Sequence, residues 1–415
     1  MDFVRRMVTR ALTLLGLRHP VVLRTIAGLL RAVWPVSPFG VVREHDIREV
    51  LSRPLDFEAG YRDAVVTGPF VLALNRTPLY ATQLVLFKHA VKPDDDAAPL
   101  RARLRATLDG LLASARTGAS PLSPTFDFVR DVVVPANLDL LADYFGIPCK
   151  NDPQVERWLR ALAVHIVLND SLSDAERTLA QCSAASLRRL IEQTIAERRT
   201  PGAAALASHT ILDRLLTHQL GNVPATVSDD EIVDLIGGLM VFFHLPIVQA
   251  STLALYELTL HRDGFKDARH AALHGTGGVN DVKPFAFEAL RFRPMFPLIL
   301  RHCPRATVVD DGQGHRREYA AGAPVPVFLI GGMFDPVTVC NPTLFLTDHS
   351  AASELVFGAG FHHCIGQFMA EIQVPEILAG VLRLKNLRRA AGCAGRLRYD
   401  RCSPAVRSLQ LIHDP

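Results

Sequence analysis

The sequence predicts a mainly α-helical protein with a small β portion, folded as a single domain over residues 1–415. Three observations predict it. Long segments, among them 100–115, 126–198 and 231–261, carry apolar residues at helical spacing. Strand-like patterning is limited to a short piece after Phe39, to Arg305 to Ile330 and to the terminal SLQLI. No repeat, low-complexity tract or interdomain linker divides the chain. A hydrophobic content of 49% over 415 residues is enough for a large core.

Taken in order, the N-terminal stretch to Val36 is amphipathic and arginine-rich, with apolar runs too short and interrupted to span a bilayer. It reads as the first helices of the fold; the alternative is a helix lying on a membrane surface. Phe39 to Leu51 reads as a short strand, a turn and a helix. Tyr61 to Lys92, apolar and proline-bearing, reads as a loop region over a pocket. Leu100 to Ala115 is an amphipathic helix. The helical pattern from Phe126 to Arg198 breaks at Gly146 to Pro148 and near Asp170 to Asp174. Thr200 to Ser228 reads as surface connections. Ser228-Asp-Asp-Glu231 is a capping box, in which a serine and a glutamate three residues on satisfy each other's backbone N–H groups. It opens a helix to about His261, on the order of 45 Å long. Pro284 to Phe292 is a further helix. Strands follow around Asp310-Asp-Gly312 and Gly322.

The net charge of +3 without a long run of one sign gives no nucleic-acid partner. Seven cysteines lie scattered without CxxC or zinc spacing, and no secretory apolar segment is present. This fits a reduced, cytoplasmic protein.

The chemistry gathers at Phe357 to Glu371, FGAGFHHCIGQFMAE. Cys364 sits in a glycine-punctuated turn that opens into an apolar helix. A helix N-terminus behind the sulfur favours a thiolate, and metal coordination favours it further. Gly358, Gly360 and Gly366 suit a tight turn and the approach of a flat macrocycle. His362 has the hydrogen-bond donor that a heme propionate would accept, and Phe357 would shield the sulfur.

Phe357, Gly360, His362, Cys364 and Gly366 together fill F-x-x-G-x-H-x-C-x-G, which resembles the heme-binding signature of the cytochromes P450. Further residues carry the same resemblance. Glu288 and Arg291, three apart in FEALRFRP, are similar to that family's buried E-x-x-R pair. Arg301 matches a position that reaches a heme propionate. Arg101 and Arg105 fall where the family often has His-x-x-x-Arg on the other propionate, with Arg101 in place of the histidine. Phe334-Asp335-Pro336 resembles the loop before the heme turn, without the family's arginine after Phe345. The resemblance implies a P450-type fold with a long central helix over heme b and Cys364 as the iron ligand. It also implies a lipophilic small-molecule substrate and electrons from a separate ferredoxin or flavoprotein. The expected form is a monomer without a membrane span.

The central helix departs from the family. Its oxygen-activating groove reads roughly [AG]-G-x-[DE]-T-[TS], where an acid and a threonine deliver protons. Here Phe242-Phe243-His244-Leu245-Pro246-Ile247 occupies that register. Phenylalanines replace the small residues, Leu245 replaces the acid and Pro246 the threonine. Pro246 removes one helical hydrogen bond and is expected to bend the helix. His244 is the candidate substitute acid, although it stands at the family's variable position. Phe243, His244, Leu245 and Pro246 are therefore the expected distal catalytic residues. Three functions stay open: an oxidative tailoring enzyme with non-standard proton delivery, an electron-independent isomerase or dehydratase of a hydroperoxide or other pre-oxidised substrate, and a heme-binding protein without turnover.

Overall fold

The computed structural model describes residues 18–33, 40–59, 66–71, 74–75, 77–116, 125–168, 172–200, 210–220, 227–275, 281–310, 316–400 and 405–414. The expected Asp310-Asp-Gly312 turn lies partly outside them, as do Cys402 and most of the segment before α1.

Helix α1 (Pro20–Val33) is followed by α2 (Glu44–Ser52), β1 (Glu58–Ala59), α3 (Pro78–Ala90), α4 (Pro93–Arg116) and β2 (Thr125–Asp127). A π-helical turn, Phe128–Val133, leads into α5 (Val134–Phe145), α6 (Pro153–Leu168), α7 (Asp174–Arg198) and α8 (Ile211–Leu220). The central α9 (Asp229–Leu258) precedes α10 (Arg262–His274) and α11 (Lys283–Phe292). Then come β3 (Ile299–His302), β4 (Thr307–Asp310), β5 (Arg316–Tyr319), β6 (Pro324–Val327), α12 (Leu329–Met333) and α13 (Ser350–Ser353). The chain closes with α14 (Gln367–Leu382), β7 (Arg388–Arg389), β8 (Arg398–Tyr399), β9 (Val406–Ser408) and β10 (Gln410–Ile412). The result is mainly helical with a small β portion, as the patterning predicts.

The long helix starts where the capping box places it. The Ser228 hydroxyl accepts the Glu231 N–H at 3.2 Å, and the Glu231 carboxylate accepts the Ser228 N–H at 2.8 Å. From there α9 runs without a break through Pro246 and ends three residues earlier than the expected His261. Its 18-residue apolar window is 78% buried within the fold, which makes it a core helix rather than a bilayer span. The larger of two apolar clusters surrounds it, with α4 to α8, α10, α11 and α14 contributing. The smaller lies between α1, α2 and α12 and the β1–β3–β6 sheet.

That sheet is antiparallel and carries Arg301 in its middle strand, opposite Ala59 on one side and Val325 on the other. The second three-stranded sheet, β2–β10–β7, pairs the C-terminus with the start of α5's segment.

Two stretches depart from expectation. Tyr61 to Lys92 is not loop throughout, because α3 occupies its second half. Thr77 caps α3 by accepting the Tyr80 N–H, and Pro78 sits in the first turn, where its missing N–H costs nothing. Its apolar residues point outward as well as inward, with Val85 62% exposed while Leu86 is buried, so no amphipathic stripe reveals it. Likewise α8 lies inside the stretch read as connections, held by buried Leu212, Leu215 and Leu216.

Candidate functional site

Cys364 lies three residues before α14, whose N-cap is Gly366. Its N–H donates to the Phe357 carbonyl at 3.0 Å, which closes the turn on itself. Burial pushes the thiol up, and only the Gly366 N–H works the other way. Metal coordination would favour the thiolate against that burial. Gly360, at φ +67°, has to be glycine: a Cβ there would lie 2.2 Å from the Leu51 carbonyl oxygen. Gly358, also at positive φ, would point its Cβ into open space, whereas Phe357 packs on Phe287 with centroids 5.4 Å apart.

Heme fits this bed. Residues 361–368 are all half-open although the helix they enter is buried. Both ring nitrogens of His362 are buried without a hydrogen-bond partner, as is Arg101 Nε. Burial first, and then the charge of Arg301, hold His362 down to about 4, so at neutral pH it is an uncharged imidazole with one N–H to give. Arg301 is 4% exposed in its strand. Among the described residues no three His, Cys, Asp or Glu side chains converge on one point, so no protein metal cluster surrounds Cys364. A lone thiolate suits an iron whose other in-plane ligands come from a porphyrin.

Arg101 and Arg105 are placed differently from a simple propionate pair. Arg105 binds the buried Glu376 carboxylate of α14 through Nε at 2.9 and 3.0 Å, and Arg101 Nε stands 3.7 Å from the same group. Both arginines thus share a protein carboxylate on the helix that follows the cysteine turn.

Beneath the turn, Glu288 and Arg291 form a fully buried pair, 2.7 Å and 2.8 Å apart at their two contacts. Arg291 also donates to the carbonyls of Met333, Pro342 and Leu344, locking three points of the loop before the heme turn. Sequence reasoning missed the third partner. His349 Nδ1 lies 3.0 Å from Glu288 Oε1, and His349 Nε2 lies 2.7 Å from the Cys340 carbonyl. The family's missing arginine therefore has a local replacement, which only a search for any basic residue in that loop would have found.

The distal side comes from α9. Between residues 235 and 255 only Phe242, Pro246 and Ala250 are not buried. Spaced four apart, they make one stripe along the helix. Phe242 stacks on Phe70 with centroids 5.1 Å apart and 24° between planes. The other expected distal residues, apart from Pro246, are buried. Leu245 is 4% and Phe243 3% exposed; Phe243 packs edge-on against Phe145, and a Cβ on Gly366 would lie 3.4 Å from its ring. His244 is fully buried, with Nδ1 2.7 Å from Asn137 Oδ1 and Nε2 4.0 Å from Glu156. Burial lowers its pKa, against the opposing pull of Glu156. Asn137 continues to Gln373 of α14 at 2.8 Å, tying the central helix to the helix behind the cysteine. Ser251 and Thr252 are buried too, and Thr252 donates back to the Val248 carbonyl.

No family model matches the chain. Its relatives nevertheless agree with each other. The steroid C26-monooxygenase of Mycobacterium tuberculosis is 25% identical over 268 residues, 64% of this chain and 66% of that enzyme. The matched part thus spans just under two thirds of that relative. The pulcherriminic acid synthase of Bacillus subtilis is 23% identical over 373 residues, 85% of this chain and 84% of the enzyme. Among solved structures, that of CalO2 superposes with a TM-score of 0.78 at 21% identity, covering 96% of this chain and 97% of the other.

Proposed function

Because this chain belongs to the cytochrome P450 family, whose cofactor is heme b, we propose that it is a heme-thiolate monooxygenase that oxidises a lipophilic small molecule in a biosynthetic tailoring step. It would work in the cytoplasm with electrons from a separate ferredoxin or flavoprotein. When bound through a thiolate, heme supplies dioxygen activation, with the sulfur pushing electron density toward iron. The chain's residues then have defined tasks. Cys364 binds the iron, and Gly358 and Gly360 keep its turn free of side chains. His362 and Arg301 hold one edge of the macrocycle in place. Glu288, Arg291 and His349 fix the loop that supports the turn.

One observation carries the less usual half of this reading. The open stripe of α9, Phe242, Pro246 and Ala250, bears no acid and no hydroxyl. The helix therefore shapes an apolar wall and excludes water, but it offers no proton there. Protons must come from a polar group on the substrate or from water that the substrate brings. The same wall would equally serve a pre-oxidised substrate such as a hydroperoxide, whose rearrangement needs neither electrons nor a relay.

The test begins with the reduced carbon monoxide spectrum, which should be of thiolate type and vanish in Cys364→Ala. A spectrum retained in that variant would overturn the assignment of the ligand. Product formation that requires both reductant and dioxygen supports the monooxygenase; rapid consumption of a lipid hydroperoxide without reductant would replace it with an isomerase or dehydratase. In Pro246→Thr, which places a hydroxyl on the open stripe, more product should form per electron consumed. No gain in coupling would sink the account of the proton source.

A further inference from the structure

We infer that His270 and His274, on the outer face of α10, form a surface binding site for a divalent transition metal of the copper, nickel and zinc class. The two stand four residues apart on one helix, so their side chains leave the same face one turn from each other. Both are exposed. Their ring centroids are 4.8 Å apart with 46° between planes. One ion can bond a nitrogen of each ring across that gap, at the usual metal–imidazole length of about 2.0–2.1 Å. Among the described residues neither ring is held by a hydrogen bond or an ion pair, so each keeps a nitrogen to offer. The helix beneath them is fixed from the opposite side. Ala268 and Ala272 are buried, and Arg383, the C-cap of α14, donates to the Ala272 carbonyl at 2.9 Å. The last turn is closed by the Gly275 N–H, which donates to the Ala271 carbonyl at 2.9 Å. The histidine spacing is therefore set before an ion arrives, and little ordering is left for binding to oppose.

The position of the pair favours a cation. Helix α10 ends at His274, so the histidines stand over its last turn, where unpaired carbonyls give the helix end a partial negative charge. Of the flanking exposed residues, Asp267 adds a negative charge three positions before His270, and Lys266 a positive one four before it. The two offset each other, and the helix end decides the sign. Ligand chemistry then selects the ion. Imidazole nitrogen suits copper, nickel and zinc, whereas magnesium and calcium take oxygen ligands. The described side chains supply two ligands and no third, so water completes the coordination and the ion exchanges with solution. Copper binds best, as the ordinary order of divalent affinities requires. Because the chelate spans the final turn of α10, a bound ion also stabilises the folded state by mass action. The site uses none of the residues assigned to heme and stands whether or not that assignment does.

The test uses the full-length holoprotein without an affinity tag. Copper(II) added below one equivalent should give an electron paramagnetic resonance spectrum with hyperfine coupling to two imidazole nitrogens. Each imidazole alone is a weak ligand, and the second joins at high effective concentration. His270→Gln or His274→Gln should therefore weaken copper binding about a hundredfold, with the heme absorption spectrum unchanged. Saturating zinc(II) should raise the thermal midpoint of the wild type more than that of the protein carrying both substitutions, and magnesium should move neither. Four results would each overturn the inference. They are coupling to a single nitrogen, a tight equivalent of copper retained when both histidines are replaced, a loss below about threefold in either single variant, and an equal zinc shift in the wild type and the double variant.

Discussion

His349 Nδ1 lies 3.0 Å from Glu288 Oε1, across 61 residues of sequence and with both side chains buried. It makes the Glu288–Arg291 pair a three-membered network. Replacing His349 with Phe leaves a buried carboxylate oxygen one partner short and should cost about 1–3 kcal/mol in urea-monitored unfolding. His349→Gln, which can still donate, should recover part of that loss. A change below about 0.5 kcal/mol in the Phe variant would show that the Leu346 N–H, which also reaches Glu288 Oε1 at 2.9 Å, suffices alone.

Gly360 and Gly28 make a matched pair of glycines. Gly360→Ala forces a Cβ to within 2.2 Å of the Leu51 carbonyl oxygen at a positive φ, so the cysteine turn must shift. Expected are a loss of more than about 2 kcal/mol and a heme content well below wild type, read as absorbance per protein. Gly28→Ala, in helix α1 with nothing within 4 Å, should instead stabilise by about 0.5–1 kcal/mol. Equal effects at the two sites would contradict the geometry of the turn.

Phe242 stacks on Phe70 at the open stripe of α9. Phe242→Ala should enlarge the distal space on that side. In spectrophotometric titration the affinity for 4-phenylimidazole should rise about tenfold while that for imidazole stays within about twofold, because only the larger ligand gains from the vacated ring. Equal changes for both ligands would place Phe242 away from the ligand space.

Asp234 supplies the pH dependence. It lies against Gly68, where a Cβ would sit 2.1 Å from its Oδ1, and it accepts Arg188 at 3.0 Å. Burial nevertheless pushes its carboxyl up to about 6, and Arg188 only partly opposes this. The folded protein thus holds this proton more tightly than the unfolded chain. The resulting stabilisation is complete below the ordinary value of 3.8 and is lost as pH rises through about 6. Asp234→Asn should flatten the stability curve in that window while Arg188 keeps its bond to the Thr67 carbonyl. An unchanged slope would assign the titration to another group.

Much of the site was legible because its chemistry is local. The E-x-x-R spacing and the Ser228 capping box are each written within four residues and the cysteine turn within ten, and backbone geometry at that range depends little on the rest of the fold. The missing acid and alcohol in α9 are equally plain in the string Phe242 to Ile247. Helix α3 was not legible, since it shows no apolar face against a polar one; α8 has such a face, but its ten residues lie inside a stretch rich in connection residues.

The sequence by itself determined the cysteine turn that resembles a heme-binding site, the helical class of the fold and the lack of an acid and a hydroxyl from Phe242 to Ile247. Only the tertiary structure decided which face of the central helix is open. Phe242 and Pro246 line that face, while Phe243, His244 and Leu245 are spent on packing and on the Asn137 contact. It also brought His349 to Glu288 and gave Arg101 and Arg105 to Glu376. These are pairings between residues far apart in the chain, fixed by how whole helices rotate against one another. No local propensity encodes that rotation; it follows from which of several apolar faces can be buried at once.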